Sequence, residues 1–361
     1  MDHRNFIGRP VQALPTPAML VEVAALQQNI SLLADYFSDR PCKLRPHFKS
    51  HKCVTIAKRQ LKAGGVVGIT CAKLSEAEAL VAGGVKDVLI ANQVVGPDKA
   101  QRLAALNRSA TVRSAVDSEA NLEELGAAAQ AAGVTIGVLV EVDIGMHRCG
   151  VAPGEPAATL AALVTATRGL RLDGLQGYEG HLVMTPDAEE RRRKVLEALA
   201  PLVETRRLFD RRGLRCPIVS GGGTGTYDIT GNVPGIDEVQ AGSYALLDCH
   251  YKKIRSDFQC AMSILTTVIS ATGRKVVLDV GLKGMGNEFG LPVVANAPEA
   301  QALRLAEEHC SVDNCPAQVG EKLRLIPSHG CTTSNLHRRL WVVRSGIVED
   351  VWPIEGSGCL E

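Results

Sequence analysis

Eight consecutive residues, RPHFKSHK (45–52), hold one arginine, two histidines and two lysines. A lysine amine gains nucleophilicity when it is partly desolvated or crowded by other cations. Lys49 has Arg45, His47, His51 and Lys52 as chain neighbours, so it is the candidate reactive amine. The bland alternative is a solvated basic run. Two further stretches, SGGGTGT (220–226) and AGSY (241–244), set glycines beside hydroxyls. Glycine lets backbone N–H groups approach an anion closely, and Thr224 and Ser243 add hydroxyl donors.

Two other stretches carry chemistry of a different kind. Arg148 lies in VEVDIGMHRCG (140–150). A guanidinium cannot give up its proton, so an arginine facing a pyridine nitrogen keeps that nitrogen unprotonated. A salt bridge to Asp143 is the equal alternative. In LIPSHGCTTSN (325–335), His329 and Cys331 stand two apart, so on a strand they face the same side. An imidazole and a thiolate together suit zinc, with water or substrate completing the shell. His309, Cys310 and Cys315 are adjacent rather than convergent and read as structural.

The elements that must position these groups alternate. Strands are expected at 43–49, 67–73, 87–92, 111–117, 137–143, 172–181, 216–222 and 238–244, with helices such as SEANLEELGAAAQAAG between them. Eight strands with intervening helices is the count of a (β/α)8, TIM-type barrel, an α/β fold whose chemistry gathers at the C-terminal strand ends. Those ends carry Lys49, Lys73, Asn92, Asp117, Asp143, Tyr178, His181 and the two glycine turns. The turns follow strands seven and eight, where such barrels hold phosphate. A phosphate anchor across from an activated lysine is what pyridoxal 5′-phosphate requires. Past residue 250, strands separated by Gly, Asn and Pro turns predict a C-terminal mostly-β domain, giving domains 1–250 and 251–361. The opening TPAMLVEV (16–23) either pairs with that domain or leads into the barrel, and NAPEAQALRLAEEHC (296–310) is open between helix and strand.

Composition narrows the class. Forty basic against 39 acidic residues leave no basic stripe for nucleic acid. No run of 18 apolar residues and no leader-like start predict a membrane partner or export. Eleven cysteines without framework spacing suit reduced thiols in a cytoplasm.

Taken together, RPHFKSHK, VEVDIGMHRCGV, SGGGTGT, VQAGSYALLD, VVLDVGLKGM and LIPSHGCTTSNL with VVRSGIVEDVWPI resemble the D-threonine aldolase and D-serine dehydratase family, fold-type III relatives of alanine racemase, from about residue 15 to the end. The resemblance implies that Lys49 is the Schiff-base lysine and that Arg148 faces the pyridine nitrogen. Tyr178 then lines the cofactor, while Gly222, Gly223, Thr224, Gly242, Ser243 and Tyr244 bind its phosphate. His329 and Cys331 hold a divalent metal, zinc or manganese. It further implies a homodimer acting on a small amino-acid substrate, a β-hydroxy-D-amino acid cleaved to glycine and an aldehyde. Two positions depart from the aldolase pattern: Cys331 stands where aldolases carry Asp, and Met184 where they carry a histidine proposed as base. His181 is the substitute base. His-x-Cys is the pattern of the dehydratases, which make a 2-oxo acid and ammonia. Racemisation, which needs no metal, and a non-catalytic carrier of the cofactor are the remaining alternatives.

Overall fold

The computed structural model describes residues 3–295 and 297–361. They form two compact units. One takes Leu33–Lys49, Ala57–Gly242 and Cys359–Glu361; the other takes the chain up to Leu32, Ser50–Ile56 and Ser243–Gly358. The expected cut at residue 250 gives way to an interleaved one, because strand pairing ties distant segments together. The opening strand β1 (Ala18–Glu22) runs antiparallel to one C-terminal strand and parallel to another, so it is part of the mostly-β unit.

In the first unit, strands β2 (Lys43–Leu44), β3 (Ile69–Cys71), β4 (Asp87–Gln93), β5 (Thr111–Val116), β6 (Ile136–Glu141), β7 (Leu170–Gln176), β8 (Ile218–Gly221) and β9 (Glu238–Val239) lie parallel in the order β2-β9-β8-β7-β6-β5-β4-β3. Parallel bridges Leu44–Val66 and His47–Thr70 join the β2 segment to the β3 segment and close the ring. This is the expected eight-stranded barrel. The helices of the chain are α1 (Val23–Ser38), α2 (Val54–Lys62), α3 (Leu74–Ala82), α4 (Pro97–Leu106), α5 (Glu119–Ala132), α6 (Glu155–Ala166), α7 (Ala188–Arg211), α8 (Tyr227–Thr230) and α9 (Gly330–Leu336). Their ends follow local rules. Asp187 caps α7 by accepting the Glu190 N–H at 2.7 Å, and Gly133 closes α5 in the left-handed region at φ 67°.

Every residue of β6 is buried, as a parallel strand covered on both faces should be. Each fully buried Val or Leu there contributes about 2 kcal/mol. Strand ends differ from expectation. β2 stops at Leu44, since Pro46 lacks the N–H a ladder needs and biases Arg45 away from continuing regularly. Lys49 therefore sits on a 3-10 turn, Phe48–Ser50, rather than on the strand. β7 stops at Gln176, leaving Tyr178 and His181 in the following loop.

Near the N-terminal ends of the strands, charges fill the barrel. Buried Arg45 grips Glu238 through two bonds at 2.7 and 2.8 Å and reaches Asp87 at 2.5 Å. Arg113 bridges Asp87 and Asp173, and Arg171 closes on Asp173 at 2.6 Å.

The second unit is a nine-stranded sheet ordered β11-β14-β13-β12-β15-β10-β1-β16-β17. Its further strands are β10 (Met262–Thr272), β11 (Lys275–Leu278), β12 (Val293–Val294), β13 (Gln301–Leu305), β14 (Cys310–Asp313), β15 (Lys322–Ile326), β16 (Arg339–Arg344) and β17 (Ile347–Pro353). The ambiguous stretch thus resolves to strand within its described part. Leu20, Leu265, Trp341, Val343 and Val348 form one core, with Phe6 edge-on to Trp341 at 5.6 Å between ring centres. No helix among the described residues is long and apolar enough to cross a membrane, and all eleven cysteines are free thiols.

Candidate active site

The barrel's C-terminal end is built from loops that each side chain explains. Lys49 is half-buried, its backbone N–H touches His47 Nδ1 at 3.4 Å, and its ε-amine has no hydrogen-bonding partner among the described residues. The expected crowd of cations is thinner than the sequence suggests. Arg45 is turned to the opposite end and neutralised by Glu238 and Asp87.

The loop 143–150 is closed at its base by the Val142–Val151 bridge. Asp143 Oδ1 accepts the N–H groups of Gly145 and His147 at 2.9 and 3.0 Å, while Oδ2 meets His147 Nδ1 at 3.0 Å. Partial burial pushes the Asp143 carboxyl up, but these partners outweigh it and hold it below the usual range. Asp143 is thus spoken for by His147, which decides the alternative for Arg148. That guanidinium makes no ion pair among the described residues and lies 5.9 Å from the centre of the Tyr178 ring. Gly150 anchors the loop by donating to Asp117 Oδ2 at 3.1 Å.

Beneath these loops runs a polar chain that sequence reasoning missed. Gln93 Nε2 donates to Asp117 at 3.2 Å and to Glu141 Oε2 at 2.7 Å. Glu141 also bonds the Gln176 side chain, whose Oε1 accepts from Gln240 Nε2 at 3.0 Å, and Gln240 reaches Ser220 Oγ at 2.9 Å. Burial pushes the Glu141 carboxyl up, against the pull of Gln93 and of the Arg148 charge. A signal was present: Gln176 and Gln240 interrupt otherwise apolar strand ends.

YEGH (178–181) ties the loops together. A Cβ on Gly180 would stand 2.3 Å from the Tyr178 ring, and one on Gly145 3.3 Å from His181 Nε2. His181 is exposed and packs beside the Arg148 loop. Tyr178 lies against the glycine turn, 3.4 Å from where a Gly223 Cβ would be. Within that turn the Gly222 N–H donates to Glu179 and the Gly223 N–H to Thr226 Oγ1, both at 3.2 Å, while Thr224 is buried. Those two N–H groups, expected to face an anion, are therefore engaged inside the protein. Gly242 ends the barrel unit, whereas Ser243 and Tyr244 begin the other. Tyr244 is fully buried, its ring 5.8 Å from that of Phe258.

In the β unit, His329 is not on a strand. It caps α9 with extended backbone, and Cys331 sits in the first helical turn. Cys331 is nevertheless close enough to His329 to raise its pKa. His329 Nδ1 faces Glu288 Oε2 at 3.3 Å, and Thr332 Oγ1 donates to the same oxygen at 2.9 Å. Asp248 accepts the N–H of Gly330 at 2.9 Å and that of Tyr251 at 2.8 Å, fixing the start of α9. Burial opposes protonation of His329, but Cys331, Glu288 and Asp248 outweigh it and raise its pKa. An imidazole and a thiol this close are a fitting donor pair for zinc, with a carboxylate orienting the ring. No group of three or more His, Cys, Asp or Glu among the described residues is arranged to hold an ion.

Comparison with known proteins follows this geometry. Residues 21–248 match the alanine racemase N-terminal domain, and residues 261–343 a putative serine dehydratase domain. The chain is 37% identical to the 3-hydroxy-D-aspartate aldolase of Paracoccus denitrificans, covering 98% of this chain and 96% of that one. It is 37% identical to the D-threonine aldolase of an Arthrobacter species, over 97% and 95%. The crystal structure of D-threonine aldolase from Filomicrobium marinum superposes with a TM-score of 0.96 at 37% identity, over 98% and 99%. A D-threo-3-hydroxyaspartate dehydratase from a Delftia species is more distant, at 28% identity over 89% and 92%. The chain therefore belongs to the D-threonine aldolase and D-serine dehydratase family of alanine racemase-like proteins.

Proposed function

We propose that the protein is a pyridoxal 5′-phosphate- and divalent-metal-dependent lyase that cleaves β-hydroxy-D-amino acids between Cα and Cβ, giving glycine and an aldehyde. The observation that carries this reading is Lys49: a half-buried amine with no partner among the described residues, on a turn after the first barrel strand. The aldolase relatives at 37% identity support the bond cleaved.

Bound through Lys49, pyridoxal phosphate supplies an electron sink for the pair left on Cα. Arg148, which makes no ion pair with Asp143, would face the ring nitrogen and leave it unprotonated. Such a sink is weaker, which suits additional Lewis-acid help at the substrate hydroxyl from a zinc or manganese ion held by His329 and Cys331. The imidazole of His181 takes the hydroxyl proton; the oxygen becomes the aldehyde carbonyl as Cα–Cβ breaks, and a proton then returns to Cα. Tyr178, the glycine turn through its Thr224 end, and the stretch 242–244 would hold the cofactor. The free thiols and the family likeness support a cytoplasmic homodimer acting on a free amino acid.

Cys331 favours a second reading, dehydration. There Lys49 removes the Cα proton and the hydroxyl leaves, ending in a 2-oxo acid and ammonia. Incubation with D-threonine, D-serine and 3-hydroxy-D-aspartate decides between them. Glycine with an aldehyde product supports cleavage; ammonia and a 2-oxo acid without glycine overturns it. A visible absorption band that borohydride removes, with the adduct mapping to Lys49, tests the cofactor assignment itself.

A further inference from the structure

The turn 220–226 is rich in glycine and has little reason of its own to keep one shape. Part of its shape is steric. Gly222 sits at φ +73°, and a Cβ on Gly221 would stand 2.3 Å from the Gly177 carbonyl oxygen. The rest comes from one carboxylate. Glu179 is fully buried and has no cation partner among the described residues. Its Oε2 accepts the Gly222 N–H at 3.2 Å; its Oε1 accepts the hydroxyls of Thr226 and Thr230 at 2.7 and 2.5 Å. Thr226 Oγ1 in turn accepts the Gly223 N–H, so the carboxylate reaches two successive turn amides, one directly and one through a hydroxyl. Burying a charge without a counter-ion is costly unless hydrogen bonds satisfy it, and such fully satisfied groups fix a single geometry.

We infer that Glu179 is a positioning residue that clamps the glycine turn from within, so that the turn presents its Thr224–Gly225 segment, and not Gly222 or Gly223, to the cofactor's phosphate. The inference rests on the pyridoxal phosphate reading above. Glu179 touches no cofactor itself. Tyr178, its chain neighbour, covers the other side of the same turn at Gly223, so consecutive side chains hold two faces of one loop.

The clamp acts on phosphate and not on the aldehyde, which sets the test. Dissociation constants for pyridoxal phosphate and for pyridoxal are measured by absorbance titration of wild type, Glu179→Gln and Glu179→Ala. Glu179→Ala loses bonds to a charged acceptor and weakens pyridoxal phosphate binding by about 10- to 100-fold, while pyridoxal affinity moves by less than about threefold. Glu179→Gln keeps one oxygen acceptor and recovers part of the loss. Should Glu179→Ala fail to fold, Thr226→Val and Thr230→Val each remove one donor at nearly constant volume and show the same phosphate-selective loss. Equal losses for both ligands, or phosphate-ligand affinities unchanged within about threefold in the variants that fold, overturn the clamp. A wild-type protein that binds neither ligand removes the cofactor reading along with the clamp; the two failures are told apart because the clamp alone predicts selectivity between variants.

Discussion

The two ends of the barrel hold similar side chains in opposite ways. At the N-terminal end, Arg45, Arg113 and Arg171 meet Glu238, Asp87 and Asp173, and every charge of that set has a partner of opposite sign. At the C-terminal end, Lys49 and Arg148 have no ion pair among the described residues, and Glu141 is buried among amides. Paired ions spend their charge on one another and hold shape; unpaired ones stay available to a ligand. The difference teaches where to look for chemistry in this fold: not where charges are most numerous, but where they are left over.

Lys49→Ala should have the largest effect and the cleanest. Turnover of the preferred substrate falls by at least about 1,000-fold, because the group that carries the covalent step is gone. The visible band of the reconstituted protein disappears with it. Since the amine has no partner to leave behind, the urea midpoint should shift by no more than about 0.5 kcal/mol equivalent. A large stability loss in this variant would show that Lys49 is a structural cation after all.

Arg45→Met is the mirror image. It strands Glu238 and leaves Asp87 with one partner fewer, and breaking a buried pair from one side costs about 3–5 kcal/mol. Chemical denaturation should show this, with cofactor affinity in the surviving folded fraction little changed. Adding Glu238→Leu to the same chain should restore much of the loss, because removing both charges is far less costly than removing one.

The β unit sharpens the contrast further. Cys331→Ala should lower bound zinc, measured by elemental analysis after dialysis, and reduce turnover by about 100-fold, yet keep the visible band. Cys331→Asp replaces a soft donor by a hard one and should shift the preferred metal from zinc towards manganese. Full activity with no metal bound in either variant would detach His329 and Cys331 from the reaction.

How much of this was legible depends on range. The alternation of strand and helix is local, and all eight barrel strands were readable from it. Candidate residues in short motifs, Lys49, Arg148 and His329, stand out by type and neighbours, and Tyr178 by the family resemblance. Three things were not readable. Arg45 lies four positions from Lys49 yet serves the other end of the barrel, and only the fold reveals which way it turns. His329 and Cys331 stand at a helix cap and its first turn instead of on a strand face, so the geometry expected for the pair was the wrong one. Glu179 looks like any surface acid in YEGH until Thr226 and Thr230, 47 and 51 residues on, arrive to satisfy it.

The smallest effect separates the two ends by sign. Burial pushes Asp173 up, but its bonds to Arg171 and the charge of Arg113 outweigh that, and its folded-state pKa is lowered. The unfolded chain then binds the proton more readily, so the stability Asp173 contributes is present above its ordinary value near ~3.9 and is lost as pH falls towards its folded value. Glu141 runs the other way. Burial raises its folded-state pKa, so the folded protein binds the proton more readily, and stability declines as pH rises from about 4.3 through the folded value. Denaturation midpoints followed from about pH 3 to pH 7 should therefore show Asp173→Asn flattening the acid side of the profile. Glu141→Gln, whose amide stays neutral, should flatten the decline on the rising side. The same direction of change in both variants would mean that the two ends of the barrel do not differ in how they hold charge.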